Sequence, residues 1–292
     1  MANPTVTVNT DLFRVYLAWT LAYCQSLAAE VTPVPWGVLY TNAANPTHHQ
    51  SNQGHVTASL YTTDASDILE EAFRQTEGHY QTHSIVPRLV TYGPLDPHGK
   101  ASGVASAHGW TGHLEEALVL LQHDLSGTLN LSPRGVRVRS ATLADMPRCA
   151  VVFARAFGYD TRDDTAWIEP KLTAQVHRPS IFTLVIGELD SSALPGKVDD
   201  TAPVLAGVSV AYHPDVVTTA GKAVRLIQSL AVDPAYQRRG VGGALLDYLC
   251  RPSPGVESEV FIETTVDEAR RLYLNHGFIE AGVVTLHEFW KP

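Results

Sequence analysis

Apolar residues recur at two different spacings along the chain, and the spacing divides it into elements. Over Ala223 to Val232 alternation sets Val224, Leu226, Gln228, Leu230 and Val232 on one face of a strand. Asp233-Pro234 ends that strand, because proline cannot donate to a ladder. Helical spacing follows: from Gly240, Val241, Leu245, Leu246, Leu249 and Cys250 form one stripe. The same reading predicts strands over Val136 to Arg139, Ile181 to Leu189, Val204 to Tyr212 and Val260 to Ile262, with a closing strand or pair over Phe278 to Trp290. Helices are expected from Thr142, through Val151, Val152 and Phe157, to a stop at Gly158, and over Thr165 to Val176. Thr142 with Asp145, and Thr265 with Glu268, have capping-box spacing.

The N-terminal half carries a weaker version of this order. Helices are expected over Leu12 to Ala29, Ala65 to Gly78 and near Lys100 to Ala107, with strands near Gly37 to Tyr40, His55 to Tyr61, Ser84 to Tyr92 and after Trp110. The fold class is therefore α/β, a mixed sheet flanked by helices. Turn-rich Ser126 to Gly135 separates two periodic regions, so the domains divide near residue 132, into 1–132 and 133–292. An internal echo links them: His108-Gly109-Trp110 matches His276-Gly277-Phe278, and on the same offset Ala101 matches Ala269. Both halves are expected to descend from one fold.

Composition narrows the chemistry. With 292 residues, 45% of them hydrophobic, the chain has length and apolar content for two cores. Its 21 basic against 30 acidic side chains, a formal charge of −9, disfavour nucleic acid and anionic membrane as partners. Cys24, Cys149 and Cys250 lie far apart, in no metal-ligand spacing, which fits a reducing cytoplasm and no metal. The 13 histidines, including adjacent His48 and His49, have no ligand spacing and are expected in surface or polar loops. The apolar stretch Leu12 to Ala29 is broken by Arg14 and Gln25 and reads as a core helix, not a signal or a span. No pattern specifies an oligomer.

One segment stands apart from this acidic background. After the strand end Leu230-Ala231-Val232 comes Asp233-Pro234-Ala235-Tyr236-Gln237-Arg238-Arg239-Gly240-Val241-Gly242-Gly243, opening directly into a helix. The first amides of a helix lack internal partners, and glycine lets phosphate approach them while the dipole and Arg238 and Arg239 add attraction. A dinucleotide fingerprint would need glycine where Leu245 stands, and a Walker A loop would need lysine and a hydroxyl residue where Ala244-Leu245 stand. What remains is Q/R-x-x-G-x-G/A, as Gln237, Gly240 and Gly242, which resembles the coenzyme A loop of the GCN5-related N-acetyltransferase (GNAT) superfamily. Ala269-Arg270-Arg271-Leu272-Tyr273-Leu274-Asn275-His276-Gly277-Phe278 resembles that superfamily's A-x-x-L-Y-x-x-x-G-F segment. The likeness covers roughly residues 136 to 290.

The resemblance implies two acyl-CoA N-acyltransferase-like domains with splayed central sheets, the second binding acetyl-CoA as cosubstrate. Pantetheine would lie where the strand ending at Val232 parts from that of Val260 to Ile262, with the main chain of Leu230, Ala231 and Val232 as its partner. Gln237, Arg238, Arg239, Gly240, Val241, Gly242 and Gly243 would hold the diphosphate. An amide near Leu230 or Ala231 would polarise the thioester, and Tyr273 would be the general acid toward the departing thiolate. The acceptor would be an amine on a small molecule or peptide, acetylated directly in a ternary complex. Cys250, on a core-facing stripe, is the wrong cysteine for an acyl-enzyme.

Two departures from the pattern stand out. Val266 replaces a frequent asparagine, and the strand Ala223 to Val232 holds no carboxylate where relatives often keep a general base; Glu263, Asp267 and His213 are the substitutes considered. Residues of the helical segment are expected to share a face as Val266, Ala269, Leu272, Tyr273 and His276, with Asp267 and Arg271 paired outside. The N-terminal half has no such loop, and Ala105 stands at the position of Tyr273, so it reads as a degenerate domain. Acceptor-facing loops are expected among Asn45 to Asn52, Phe157 to Asp164 and His213 to Gly221. The competing class is a non-catalytic acyl-CoA sensor or scaffold, which the missing carboxylate favours.

Overall fold

The computed structural model describes residues 10–62, 64–96, 98–122, 135–159, 165–190, 202–251 and 257–292. Contacts divide the chain into two compact units, Met1–Val119 with Ala281–Pro292, and Leu120–Glu280. The sequence-based boundary near residue 132 lies outside the described residues. The last strand, read with the C-terminal half, packs in the first unit.

In the first unit the elements are α1 (Thr10–Leu27), β1 (Glu30–Val34), β2 (Gly37–Thr41), β3 (Gln53–Val56), α2 (Ala65–Gln81), β4 (Arg88–Tyr92), α3 (Lys100–Ala107) and β5 (Thr111–Gln122), and the chain's final strand joins them. β1, β2 and β3 are antiparallel neighbours, and β3 and β4 are parallel. Trp36, Leu69, Phe73, Leu89, Trp110 and Phe289 build its core. β1 was not expected from the pattern; Pro33 within it is tolerated because the strand has one neighbour. His55 is buried within β3, which corrects its expected placement in a surface or polar loop, and His48, in the polar loop Asn45 to Asn52, is buried too. Asn45 to Asn52 closes on itself instead of standing as an open polar loop: the Asn52 amide donates to the carbonyls of Asn45 and His48, and His48 Nδ1 lies 2.9 Å from Ser51 Oγ.

The second unit contains β6 (Val136–Ser140), α4 (Met146–Phe157), α5 (Ile168–Val176), β7 (Phe182–Leu189), β8 (Val204–Tyr212), β9 (Ala223–Val232), α6 (Val241–Leu249), β10 (Ser258–Thr264) and α7 (Asp267–Leu274). Its strands run in the order β10-β9-β8-β7-β6, antiparallel except for the parallel pair β9 and β10. The expected Thr142–Asp145 capping box forms, on a single 3-10 turn that leads into α4, and Gly158 ends the helix at φ +73°. Arg139 clamps Asp145 and Glu188, at 2.8 and 2.9 Å. α6 lies close on the sheet because Gly187 and Gly207 leave room for Val241; a Cβ on either would come within 2.8 Å of its side chain.

β11 (Ile279–Trp290) begins where the echo predicted a repeat. Trp110 N–H donates to the Ala105 carbonyl at 2.9 Å, and Phe278 N–H to the Tyr273 carbonyl at 3.2 Å. A left-handed glycine precedes each aromatic, Gly109 at φ +71° and Gly277 at φ +84°. Helix, glycine turn, buried aromatic and strand thus recur on one offset. Among the described residues no helix is long and apolar enough to cross a membrane.

Candidate active site

β9 opens the site through a fault in its own ladder. Ala211 pairs with Ile227 but Val210 pairs with Ser229, so Gln228 is an extra residue, a β-bulge. The bulge reverses the alternation beyond it, so the expected single face from Val224 to Val232 is corrected: Leu230 and Val232 do not continue the face of Val224 and Leu226. Pairing with β10 stops at the same place, at Ile227 with Ile262, while β9 runs on to Val232 against β8. Asp233 N–H donates to the Ala206 carbonyl at 2.9 Å, and the Ala231 carbonyl lies against Gly207 of β8. Alternation therefore turns the main-chain groups of Leu230 and Val232 toward the edge that β10 has left. Ala231 has its main chain on the other side.

The loop that follows aims a helix end at this edge. Asp233 Oδ1 accepts the Ala235 N–H, fixing the turn, and the Gln237 amide reaches back to the Val232 carbonyl at 3.5 Å. Arg238 at φ +62° and Gly240 at φ +81° are both left-handed, and α6 starts with no side chain capping it. The amides of Gly240, Val241, Gly242 and Gly243 thus lack intrahelical acceptors. Arg238 and Arg239 are exposed, with no ion pair found for either among the described residues. Gly242 and Gly243 have a second role: a Cβ on Gly242 would stand 3.3 Å from Leu272, and one on Gly243 2.7 Å from His276 Nε2. They let α7 pack against α6.

Tyr273 is 6% exposed, and burial pushes its phenol up to about 12. Its ring lies 6.0 Å from that of Phe278, and no hydrogen bond from its hydroxyl to protein is found among the described residues. His276 Nδ1–H donates to the Leu272 carbonyl at 2.8 Å, and its Nε2 is 4.0 Å from Asp247. It closes the helix end. The predicted cap of α7 is corrected: Val266 is the N-cap, with Thr264 Oγ1 accepting its N–H at 3.0 Å, and Arg271 pairs with Glu268 instead of Asp267. Val266 is exposed, not on a buried face.

Of the considered bases, Glu263 follows Ile262, where β10 parts from β9, and is exposed, as is Asp267. His213 sits beyond Tyr212, the partner of Leu226; its Nε2 is 2.9 Å from Thr183 Oγ1, and burial, then Arg225, lower it to about 4. A different side chain reaches β9: Lys171, buried on α5, has Nζ 3.4 Å from Gln228 Oε1. Lys171 shares the buried face of α5 with Ile168, Leu172 and Gln175. Cys24, Cys149 and Cys250 are free and buried, and burial pushes each thiol up to about 12. No cluster of three or more metal-ligating side chains occurs among the described residues.

Comparison with known proteins bears on this geometry directly. Residues 199–280 match the family model described as acetyltransferase (GNAT) domain, a stretch that contains β8, β9, the glycine loop, α6, β10 and α7. No curated protein matches the sequence. Among solved structures, a GCN5-related N-acetyltransferase from Kribbella flavida is similar at 12% identity with a TM-score of 0.62, covering 95% of this chain and 95% of that one. A conserved protein of unknown function from Staphylococcus epidermidis follows at 14% and 0.60, covering 90% and 94%. A GCN5-related N-acetyltransferase from Sphaerobacter thermophilus has 17% identity, a TM-score of 0.52 and covers 82% of this chain and 74% of that one. At such identities the likeness is one of fold, and it spans both units.

Proposed function

Starting from a GNAT acetyltransferase domain in residues 199–280, we propose that the second unit transfers the acetyl group of acetyl-CoA directly to an amine on a small molecule or peptide. The observation that carries this reading is the coincidence of two sets of main-chain groups that lie outside the helix and strand ladders. The uncapped start of α6 suits a diphosphate, and the β9 edge at Leu230 and Val232 suits the amides of a pantetheine arm. Arg238 and Arg239 supply charge at the helix end, and Gln237 braces the turn through the Val232 carbonyl.

In this reading the Leu230 N–H donates to the thioester oxygen as negative charge develops on it. The amine adds to the carbonyl carbon, and collapse of the intermediate breaks the carbon–sulfur bond. Tyr273, held protonated through neutral pH, donates its hydrogen to the departing sulfur. The first unit, with Ala105 at the matching position and no glycine loop, does not turn over. Calorimetric titration with acetyl-CoA, followed by thiol release against amino acids, aminoglycosides and peptides, tests the proposal. Absence of binding at millimolar acetyl-CoA would end it.

A further inference from the structure

Direct transfer leaves a proton on the attacking nitrogen, and β9 has no carboxylate to take it. A helix supplies another ionisable group to the same strand. Lys171 is 3% exposed, with Nζ 5.2 Å from the Phe153 ring centre, 5.4 Å from that of Trp167 and 3.4 Å from Gln228 Oε1. Gln228 is the bulge residue, at the point where β10 parts from β9, and Leu230 lies two residues on, about 7 Å along the strand. Lysine is seldom buried this deeply, and here its nitrogen reaches the side chain of the bulge residue of β9.

The surroundings set its charge. Burial disfavours the ammonium and lowers Lys171 to about 7, so that both forms are populated near neutrality. Other ionisable groups on the packed elements are engaged or exposed: Arg155 pairs with Asp233, Glu188 with Arg139, Arg225 donates to the Leu249 and Arg251 carbonyls, and Arg148 and Glu169 face solvent.

We propose that Lys171 is the general base of the transfer, taking the proton of the acceptor nitrogen, with Gln228 positioning its Nζ at the opening of β9. The inference rests on the acetyl-transfer reading above. As the carbon–nitrogen bond forms, the nitrogen's proton passes to neutral Lys171; as the carbon–sulfur bond breaks, sulfur takes the proton of Tyr273. The resulting lysine ammonium and phenolate return to their starting forms by proton exchange with water.

The test uses the full chain with acetyl-CoA and whichever amine of the panel gives turnover. Lys171→Met is expected to lower kcat ~100-fold or more at neutral pH while leaving acetyl-CoA affinity unchanged. Lys171→Arg preserves charge and ring contacts but cannot release a proton, so it is expected to be equally impaired. The wild-type pH–rate profile should rise through a limb near 7 that both variants lack. Turnover of Lys171→Arg within ~3-fold of wild type, or a limb that survives Lys171→Met, overturns the base. Should the variants fail to fold, NMR titration of the wild type with carbon-13-labelled lysine decides: one lysine near 7 supports the proposal, and all lysines above ~9 defeat it. A wild type that binds acetyl-CoA but releases no thiol with any amine is a different failure, that of acetyl transfer itself, and removes the base with it.

Discussion

Gly240→Ala probes the helix end on which cofactor binding depends. Gly240 precedes α6 at φ +81° and ψ 3°, a conformation that costs a residue with a Cβ about 1–2 kcal/mol. The chain can carry that strain, which lowers the Tm of the second unit by ~2–8 °C. It can also relieve it by rotating out of the left-handed region, which turns the first amides of α6 away from a diphosphate. Acetyl-CoA then has to restore the strained form, so its Kd rises by up to the strain, ~5–30-fold. Gly240→Asn separates strain from other effects, because asparagine tolerates the left-handed region and should lose less of both quantities. Calorimetry and thermal melts on the three proteins give the answer. An unchanged Tm together with an unchanged Kd in Gly240→Ala would refute the reasoning, since the strain would then have been relieved by moving this helix start with no loss of ligand affinity.

Tyr273→Phe should lower kcat ~100-fold while leaving Tm and acetyl-CoA affinity nearly unchanged, because no group among the described residues is found to accept from the hydroxyl; turnover equal to wild type at every pH would exclude the acid role. Arg238→Ala with Arg239→Ala should weaken acetyl-CoA binding and flatten its dependence on salt without altering urea stability, since both side chains are exposed; an unchanged salt dependence would remove them from the site. Asp145→Ala should cost ~1–2 kcal/mol by removing the capping box and the Arg139 clamp, as read by urea denaturation at pH 7. The Arg139 hydrogen bond holds the Asp145 carboxyl well below its ordinary value, so its contribution is present above the unfolded pKa of ~3.9 and fades as pH falls toward the folded one. The gap between wild type and variant should therefore narrow in acid; a constant gap would point to packing alone.

The parts of the site written in local pattern were legible from the sequence. β8 and β9 end where the alternation ends, and α6 starts at the glycine that the loop required. The Gly277 turn and its counterpart at Gly109 were visible as an echo because a left-handed position before a buried aromatic constrains identity. What was not legible depends on partners. The bulge at Gln228 exists only in the pairing of β9 with β8, and a strand read alone shows uninterrupted alternation. Likewise Gly243 reads as a phosphate glycine until His276 is seen against it, and β11 reads as part of the second unit until its pairing with β4 in the first is seen. Lys171 is not legible as a base in the sequence, because its burial on α5 and its approach to Gln228 exist only in the packing of that helix on β9.

Hydrogen–deuterium exchange with and without acetyl-CoA measures the central claim most directly, because the claim concerns main-chain N–H groups. Saturating acetyl-CoA is predicted to slow exchange across residues 230–243, at the β9 edge and the first turn of α6. Protection that falls elsewhere, with this stretch exchanging as fast as before, would contradict it.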